Sequence, residues 1–146
     1  MKISTESKMD FDNSVSTEDR FALRKWLDEL VEAVNYNDRG VYGDRLAENL
    51  TVEGFTEQPM DRESYLQYLN SRATEPAARI IRFPALQIKF KHYLYPLAGT
   101  YEEFVNGILS YEGRVNLAIV KKDGGFQLVS LKFDPRLRVS NENSQL

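Results

Sequence analysis

The apolar residues near the start of the chain recur at the spacing of a helix. They lie three or four residues apart, and they are Leu23, Leu27, Leu30 and Val34, with Trp26 and Ala33 widening the stripe. Ser16 precedes this stripe and is followed three residues later by Asp19, an arrangement that resembles a capping box. The pattern therefore predicts a helix over residues 17–36.

Further elements are predicted before residue 80. A second, shorter helix is expected over residues 38–48, although two glycines weaken it. Residues 50–55 favour a short strand because they include β-branched side chains. Asp61 is the predicted N-cap of a third helix that ends near Asn70. The stripe that this helix would bury consists of Tyr65, Leu66 and Leu69.

From about residue 80 onward, the apolar residues alternate with polar ones, as they do in strands. Residues 86–95 predict one long strand, and Pro and Gly at 96–99 predict a turn after it. Strands are also predicted over residues 100–111, 114–122 and 126–134. The last two are joined by a glycine-rich turn.

Asn106–Gly107 interrupts the strand predicted for residues 100–111. Asn-Gly is a strong two-residue hairpin signal, so residues 101–105 and 108–111 would then be two short paired strands. The alternative is one long strand with a glycine bulge, followed by a turn at Glu112–Gly113. We prefer the bulge, because it gives strands of comparable length on both sides.

The last predicted strand is apolar on both of its faces. One face carries Phe126 and Leu128, and the other carries Val129, Leu131 and Phe133. A strand at a protein surface normally alternates apolar and polar residues, so both faces of this strand should be covered.

The order of the elements favours an α+β fold, because the helices come first and the antiparallel strands last. With 146 residues the chain has the size of one domain. We expect a flexible arm over residues 1–15, a single domain over residues 16–135 and a polar tail over residues 136–146.

Composition excludes several classes of function. The net charge is −3 and basic residues are not clustered, so no nucleic-acid partner is expected. The chain has no cysteine, which excludes thiolate nucleophiles and cysteine-built metal sites. No apolar run reaches the length of a membrane span, so we expect a cytoplasmic protein without a membrane partner. No phosphate loop or dinucleotide-binding glycine string is present, and no cofactor is expected.

Three stretches resemble the nuclear transport factor 2-like superfamily, which includes SnoaL-like, ketosteroid-isomerase-like and lumazine-binding-like proteins. They are the helical stripe from Leu23 to Val34, the segment LAENLTVEGF at 46–55, and VNLAIVKKDGGFQLVSLKF at 115–133. The resemblance implies a cystatin-like cone, in which a curved antiparallel sheet wraps around three N-terminal helices and leaves a pocket at the wide end. It also implies a homodimer through the outer sheet face, which we assign to Val129, Leu131 and Phe133.

The resemblance also identifies a position for a general base. In ketosteroid isomerases, a catalytic aspartate lies in the strand comparable to 46–55, and the matching position here is Gly54. Glu53 lies one residue earlier and so points to the opposite face of the strand. The glycine argues against an enzyme, and Glu53 is a candidate base only if the register slips.

His92 is the only histidine, and it is in phase with Ile88 and Phe90 on a mainly apolar face. It is the first candidate for a general base, because imidazole titrates near neutral pH. No metal site is expected, since neither a second histidine nor a cysteine accompanies it.

The leading hypothesis is a small-molecule-binding domain with an apolar pocket and no identifiable catalytic set. The candidate ligand-binding residues are Trp26, Tyr42, Tyr65, His92, Phe104 and Arg114. Glu103 is a candidate to fix a polar ligand group together with Arg114. This hypothesis needs a cavity of a few hundred cubic ångströms. One alternative is a cofactor-independent isomerase, dehydratase or cyclase that uses His92 or Glu53 inside the cavity. The other is a protein-interaction module with a vestigial pocket.

Overall fold

The computed structural model describes residues 3–140 of the chain. The first half contains strand β1 (Lys8–Phe11), helices α1 (Thr17–Asn35) and α2 (Arg39–Arg45), strands β2 (Leu46–Glu53) and β3 (Met60–Asp61), and helix α3 (Arg62–Ser71), which a 3₁₀ turn (Arg72–Thr74) extends. The second half contains strands β4 (Arg79–Arg82), β5 (Ala85–Ile88), β6 (Leu94–Val105), β7 (Ile108–Lys122) and β8 (Gly125–Arg138).

Local capping signals fix where two of the helices begin. The Ser16 side chain accepts a hydrogen bond from the Asp19 backbone N–H at 3.1 Å, at the start of α1. The Asp61 carboxylate accepts one from the Ser64 N–H at 2.8 Å, at the start of α3. Such bonds satisfy backbone donors that the first turn of a helix leaves free. The predicted first and third helices are therefore confirmed.

The sheet curves around the helices in the strand order β1-β5-β6-β7-β8-β2-β3, with β4 added on β6. The long central strands are antiparallel, whereas β1 pairs with β5 and β2 pairs with β8 in parallel. The α+β cone is confirmed, and its sheet is mixed where the prediction was purely antiparallel. The core lies between the inner face of this sheet and the helices.

The strand predicted for residues 86–95 is two strands, because the chain reverses at His92–Tyr93. Lys91 and Leu94 exchange backbone hydrogen bonds of 2.8 and 3.0 Å across this turn. The φ angles of His92 and Tyr93 are 53° and 66°, in the left-handed region. Few residues other than glycine favour this region, and the sequence has no glycine here that would indicate a turn. The turn predicted at 96–99 is also wrong, since those residues lie inside β6.

Asn106–Gly107 forms a hairpin turn, so the preferred bulge at this position is wrong. Both residues have positive φ angles, 52° and 80°, as a two-residue hairpin turn requires. The turn joins β6 directly to β7, and the turn predicted at Glu112–Gly113 lies inside β7 instead. The local chemistry of Asn-Gly decided the outcome, and strand length was a poor guide.

A bulge is present further along the sheet, at Val129 in β8. Ser130 pairs with Ala118 and Leu128 pairs with Ile119, which leaves Val129 as the extra residue. This extra residue reverses the alternation, so the strand does not have two covered apolar faces.

Leu131 and Phe133 consequently lie on the same inner face as Phe126 and Leu128. They are 4% and 7% exposed within the monomer. The surface predicted for the homodimer therefore keeps only Val129 outside the core, and the prediction for Leu131 and Phe133 is wrong. The homodimer itself stays a prediction.

The sheet extends beyond both predicted ends of the domain. β1 lies within residues 1–15, which we expected to be flexible, and it buries Met9 where it pairs with β5. β8 continues to Arg138, inside the predicted tail, of which residues 141–146 lie outside the described part of the chain. Within residues 3–140, no helix has both the length and the apolar character needed to cross a membrane.

Candidate functional site

A cavity lies between α1, α3 and the inner face of the sheet. Its walls are mainly apolar, and they include Leu30, Val31, Leu69, Leu117, Leu131 and Phe133. The cavity leaves about 40 Å³ for water-sized molecules. A single water needs about 10–15 Å³ on this measure, whereas a preformed ligand site usually measures about 300–1,000 Å³. The described conformation thus has a cavity in the predicted place, but not of the predicted size.

A buried carboxylate stands in one wall of this cavity. Glu103 is 2% exposed, and both of its oxygens accept hydrogen bonds. Oε1 accepts from the Tyr101 hydroxyl and from Arg136 Nη2, the latter at 3.2 Å, and Oε2 accepts from Arg79 Nη1 at 2.9 Å. A buried charge is tolerated only when it is paired in this way, so the cluster ties together β4, β6 and β8.

Arg136 is held between two aromatic rings. Its guanidinium carbon lies 4.4 Å from the centre of the Phe55 ring and 3.8 Å from that of Tyr111. Gly113 permits this arrangement, because an added Cβ there would lie 1.8 Å from the backbone oxygen of Pro135, the residue before Arg136. A glycine for which the sequence predicts a turn therefore lets β8 approach β7 and position Arg136, whose side chain is 13% exposed.

Arg72 contributes a second buried guanidinium at the cavity. Its side chain is 7% exposed, and its Nη2 donates to the Arg79 backbone oxygen at 2.8 Å. The Nε atom of Arg72 is buried and has no hydrogen-bond partner among the described residues. A buried donor without a partner costs about 1–3 kcal/mol, so this atom has unused capacity for binding.

Two tyrosines of α3 line the cavity beside Arg72. Their rings are stacked, with 6.2 Å between the centres of Tyr65 and Tyr68. Burial raises the pKa of both phenols, and the neighbouring hydroxyl raises that of Tyr65 further. Within residues 3–140, neither hydroxyl forms a hydrogen bond. Both are therefore protonated donors at neutral pH, with room for an acceptor.

Of the residues predicted to bind a ligand, Tyr65 lines the cavity and most of the others lie elsewhere. Trp26 packs edge-on against Phe126 in the core, with 6.2 Å between ring centres. Tyr42 is buried, and its hydroxyl donates to Asn70 Oδ1 at 2.7 Å. Both residues lie on buried helix faces, but outside the cavity walls.

Phe104 and Arg114 do not belong to the cavity either. The Phe104 ring lies 5.3 Å from the Arg82 guanidinium carbon, away from the cavity. Arg114 is exposed and lines an open groove on the outer face of the sheet. Arg114 therefore does not join Glu103, which is inside. The choice between a hairpin and a bulge at 106–107 left the facing of these residues undetermined from sequence.

Both candidate bases are exposed to solvent. His92 is in the turn that ends β5 and begins β6, and Glu53 alternates with buried Val52 on β2. Gly54, which matches the catalytic position of ketosteroid isomerases, has a φ angle of 78°, and an added Cβ would lie 1.9 Å from the Phe133 backbone oxygen. No side chain fits at this position. Within residues 3–140, no cluster of three or more histidines or acidic residues could hold a metal ion.

Comparisons with known proteins give matches at the level of structure. No family model matches the chain, and no curated protein matches it. An NTF2-like protein of unknown function from Pseudomonas putida KT2440 superposes with a TM-score of 0.68 and 10% identity, over 82% of this chain and 87% of that one. A protein with a cystatin-like fold from Nostoc punctiforme gives 0.66 and 13%, over 84% and 96% of the two chains. A protein from Catenulispora acidiphila in complex with S-DNPA gives 0.66 and 15%, over 82% and 96%.

The chain has the nuclear transport factor 2-like fold. The resemblance drawn from the sequence is confirmed at this level, and identities of 10–15% show the fold alone. In this arrangement the sheet curves around three helices, and the cavity lies between the helices and the sheet.

Sequence reasoning missed most of the polar residues of this NTF2-like cavity. Arg72 and Arg79 flank the irregular segment after α3, and Arg136 falls in the predicted tail. Glu103 was considered only as a partner of Arg114. The one available signal was a pair of glutamates, Glu102 and Glu103, between Tyr101 and Phe104, because alternation turns one of the two toward the core, where a carboxylate needs a partner.

Proposed function

We propose that the chain is a small-molecule-binding domain whose site is the cavity between the helices and the sheet. The observation that carries this proposal is the composition of the cavity wall. Its surface is almost entirely apolar, and the polar residues that line it are Glu103, Arg72, Tyr65 and Tyr68. Ligand sites typically combine apolar walls with a few such polar groups.

A ligand larger than a few water molecules requires the cavity to open. The segment best placed to open it is residues 55–59, between β2 and β3, which we call the mouth segment. The Phe55 ring lines the cavity and contacts the rings of Tyr68 and Phe133, at 4.7 and 5.7 Å between centres. The four residues after it are exposed.

Few bonds hold the mouth segment in place. Among the described residues, its one hydrogen bond is internal, from the Thr56 hydroxyl to the Gln58 backbone oxygen at 2.7 Å. The segment is thus held chiefly by the side chain of Phe55. Outward movement of this ring would enlarge the cavity and connect it to solvent without breaking the sheet.

The fold is compatible with a bound molecule, since the Catenulispora acidiphila neighbour is a complex with S-DNPA. The positions of the candidate bases do not favour the enzyme hypothesis. His92 and Glu53 are exposed, and each oxygen of Glu103 already accepts a hydrogen bond from a protein group. Proton abstraction in the cavity therefore has no free base among the candidates.

The proposal is tested by titrating ¹³C-methyl-labelled protein with indole, a neutral aromatic probe. Saturable shifts are expected for the methyl groups of Leu30, Val31, Leu69 and Leu131, which line the cavity. The methyl groups of Val15 and Ile88 are equally buried but lie outside the cavity wall, and they should stay unshifted. The absence of saturable shifts up to the solubility of indole contradicts the proposal.

Replacing Leu69 by Phe supplies a variant with a filled cavity. The larger ring occupies the space that indole would take, so binding should weaken strongly while the spectrum keeps its native dispersion. Filling a packed core costs about 1–3 kcal/mol, which a folded domain usually tolerates. Undiminished indole binding by this variant would place the probe somewhere else on the molecule.

A further inference from the structure

The charged residues in and beside the cavity wall carry an excess of positive charge, and of these Arg72 and Glu103 line the cavity itself. Arg72, Arg79 and Arg136 contribute three positive charges, and Glu103 and Glu75 contribute two negative ones. Glu75 pairs with Arg79 at 2.8 Å and is one-third exposed, so water screens its charge more than that of buried Glu103. The buried part of the cluster is therefore cationic.

The unused hydrogen-bonding capacity at the cavity wall consists of donors. Arg72 Nε is buried and has no partner among the described residues. Tyr65 and Tyr68 line the cavity beside it, and their hydroxyls are further donors. Glu103, the one carboxylate in the wall, accepts bonds at both oxygens. Glu103 is the charged group that most affects the pKa of Tyr68, which it raises, and the three arginines act in the opposite direction.

We propose that the ligand of this cavity is a small organic acid, whose carboxylate is bound by Arg72 and by the hydroxyls of Tyr65 and Tyr68. This inference rests on the proposed function, because it names the ligand class of the same site. The apolar body of the acid contacts the walls formed by α1 and the sheet. Glu103 acts indirectly, since it holds the guanidinium groups of Arg79 and Arg136 in place and compensates part of their charge.

The arrangement suits a carboxylate better than a neutral amide of the same shape. A carboxylate has only acceptor atoms, so it matches three donors that lack acceptors. An amide turns a donor toward at least one of these groups, and it gains nothing from the excess positive charge. Hydrogen bonds to charged groups contribute about 1.5–3 kcal/mol, equivalent to roughly ten- to hundredfold in affinity.

Benzoate and benzamide form the matched probes for this inference. Both are titrated into methyl-labelled protein at pH 7, and the shifts of Leu69 and Leu131 are followed. Benzoate is expected to bind at least about tenfold more tightly than benzamide. Equal affinities for benzoate and benzamide overturn the inference and leave the proposed function intact. Binding of indole without binding of benzoate has the same meaning. If none of the three probes binds, both proposals fail.

Variants of Arg72 test whether this residue binds the carboxylate of the ligand. Arg72→Met should reduce benzoate affinity at least about tenfold and leave indole affinity nearly unchanged, and Arg72→Lys should recover part of the loss. The matched control is Arg82→Met, because Arg82 pairs with Glu102 and stacks on Phe104 away from the cavity. If Arg72→Met destabilises the fold, the comparison of Arg72→Lys with the wild type decides. Benzoate affinity that is unchanged in both Arg72 variants, or equally reduced in Arg82→Met, overturns the assignment.

Discussion

Glu103 and Arg79 form an ion pair of 2.9 Å that joins β6 to β4 at the edge of the cavity. The Glu103 side chain is 2% exposed and the Arg79 side chain 26%, so water screens the charge of the carboxylate poorly. Arg136 reaches the same carboxylate from β8. One buried charge thus holds three strands together, and its loss should be felt by the whole fold.

We predict that Glu103→Gln lowers the free energy of unfolding by about 3 kcal/mol, because it leaves Arg136 without its counter-charge and leaves Arg79 with only the partly exposed Glu75. Urea denaturation measures this loss. Glu102→Gln is the matched control, since the neighbouring Glu102–Arg82 pair is partly exposed on both sides and should contribute about 1 kcal/mol or less. Equal losses in the two variants would contradict a special role for burial.

The second prediction concerns pH and the pair formed by Asp19 and Tyr95. The Tyr95 hydroxyl donates to Asp19 Oδ2 at 2.5 Å, and this bond is the main cause that lowers the pKa of Asp19 from its ordinary value of 3.8. Lys121 adds a smaller effect in the same direction. The folded state therefore holds the Asp19 proton more weakly than the unfolded state does.

A lowered folded-state pKa adds stability above the unfolded pKa, and this contribution disappears as the pH falls through the folded value. Tyr95→Phe should thus lower the free energy of unfolding by about 1.5–3 kcal/mol at pH 7. Below pH 3.8 the difference from wild type should shrink. Urea denaturation at pH 7 and at progressively lower pH measures it, with Lys121→Met as a weaker control. A difference independent of pH would show that Tyr95 acts through packing alone.

Features with a local chemical signal could be predicted from the sequence. Ser16 and Asp61 have the side chains that cap helices, so the beginnings of α1 and α3 followed directly. Asn106–Gly107 carried an equally local signal, and it was misjudged because strand length was weighed above turn chemistry. The turn at His92–Tyr93 gave no such signal, since both residues adopt left-handed φ angles without being glycine.

The cavity cluster depends on contacts between distant parts of the chain. Arg72, Arg79, Glu103 and Arg136 come from four separate elements, and no spacing along the sequence relates them. The bulge at Val129 is also a tertiary feature, because it is defined by the register between β7 and β8. Such features can be identified only when the pairing of the strands is known. The order of the helices before the long strands was therefore predictable, whereas the short strands β1, β3 and β4 and the polar site were not.

The third prediction separates the two sides of the Val129 bulge. Leu131→Lys places a charge in the core and should lower the free energy of unfolding by several kcal/mol, about 3 or more. Val129→Lys should cost about 1 kcal/mol, because Val129 is half-buried and outside the inner face. Denaturation curves and light scattering compare the variants. If the Leu131→Lys variant folds and has a lower solution mass than the wild type, the dimer surface predicted from the sequence would be supported instead.

The fourth prediction tests whether the Phe55 side chain closes the entrance to the cavity, and it rests on the proposed function. Phe55→Ala removes two ring contacts and the stacking on Arg136, at 4.4 Å, which together hold the mouth segment closed. Aromatic contacts of this kind contribute about 0.5–1.5 kcal/mol each, so the association rate of indole should rise at least about tenfold.

The rates are measured from the line shapes of the Leu69 methyl signal during titration. Phe21→Ala is the matched control, because Phe21 is 73% exposed on α1 and does not line the cavity. An unchanged association rate in Phe55→Ala would mean that ligands enter by another route. Since Phe55 also covers Arg136, the variant should simultaneously expose that guanidinium to water and weaken its bond to Glu103, which a lower free energy of unfolding would report.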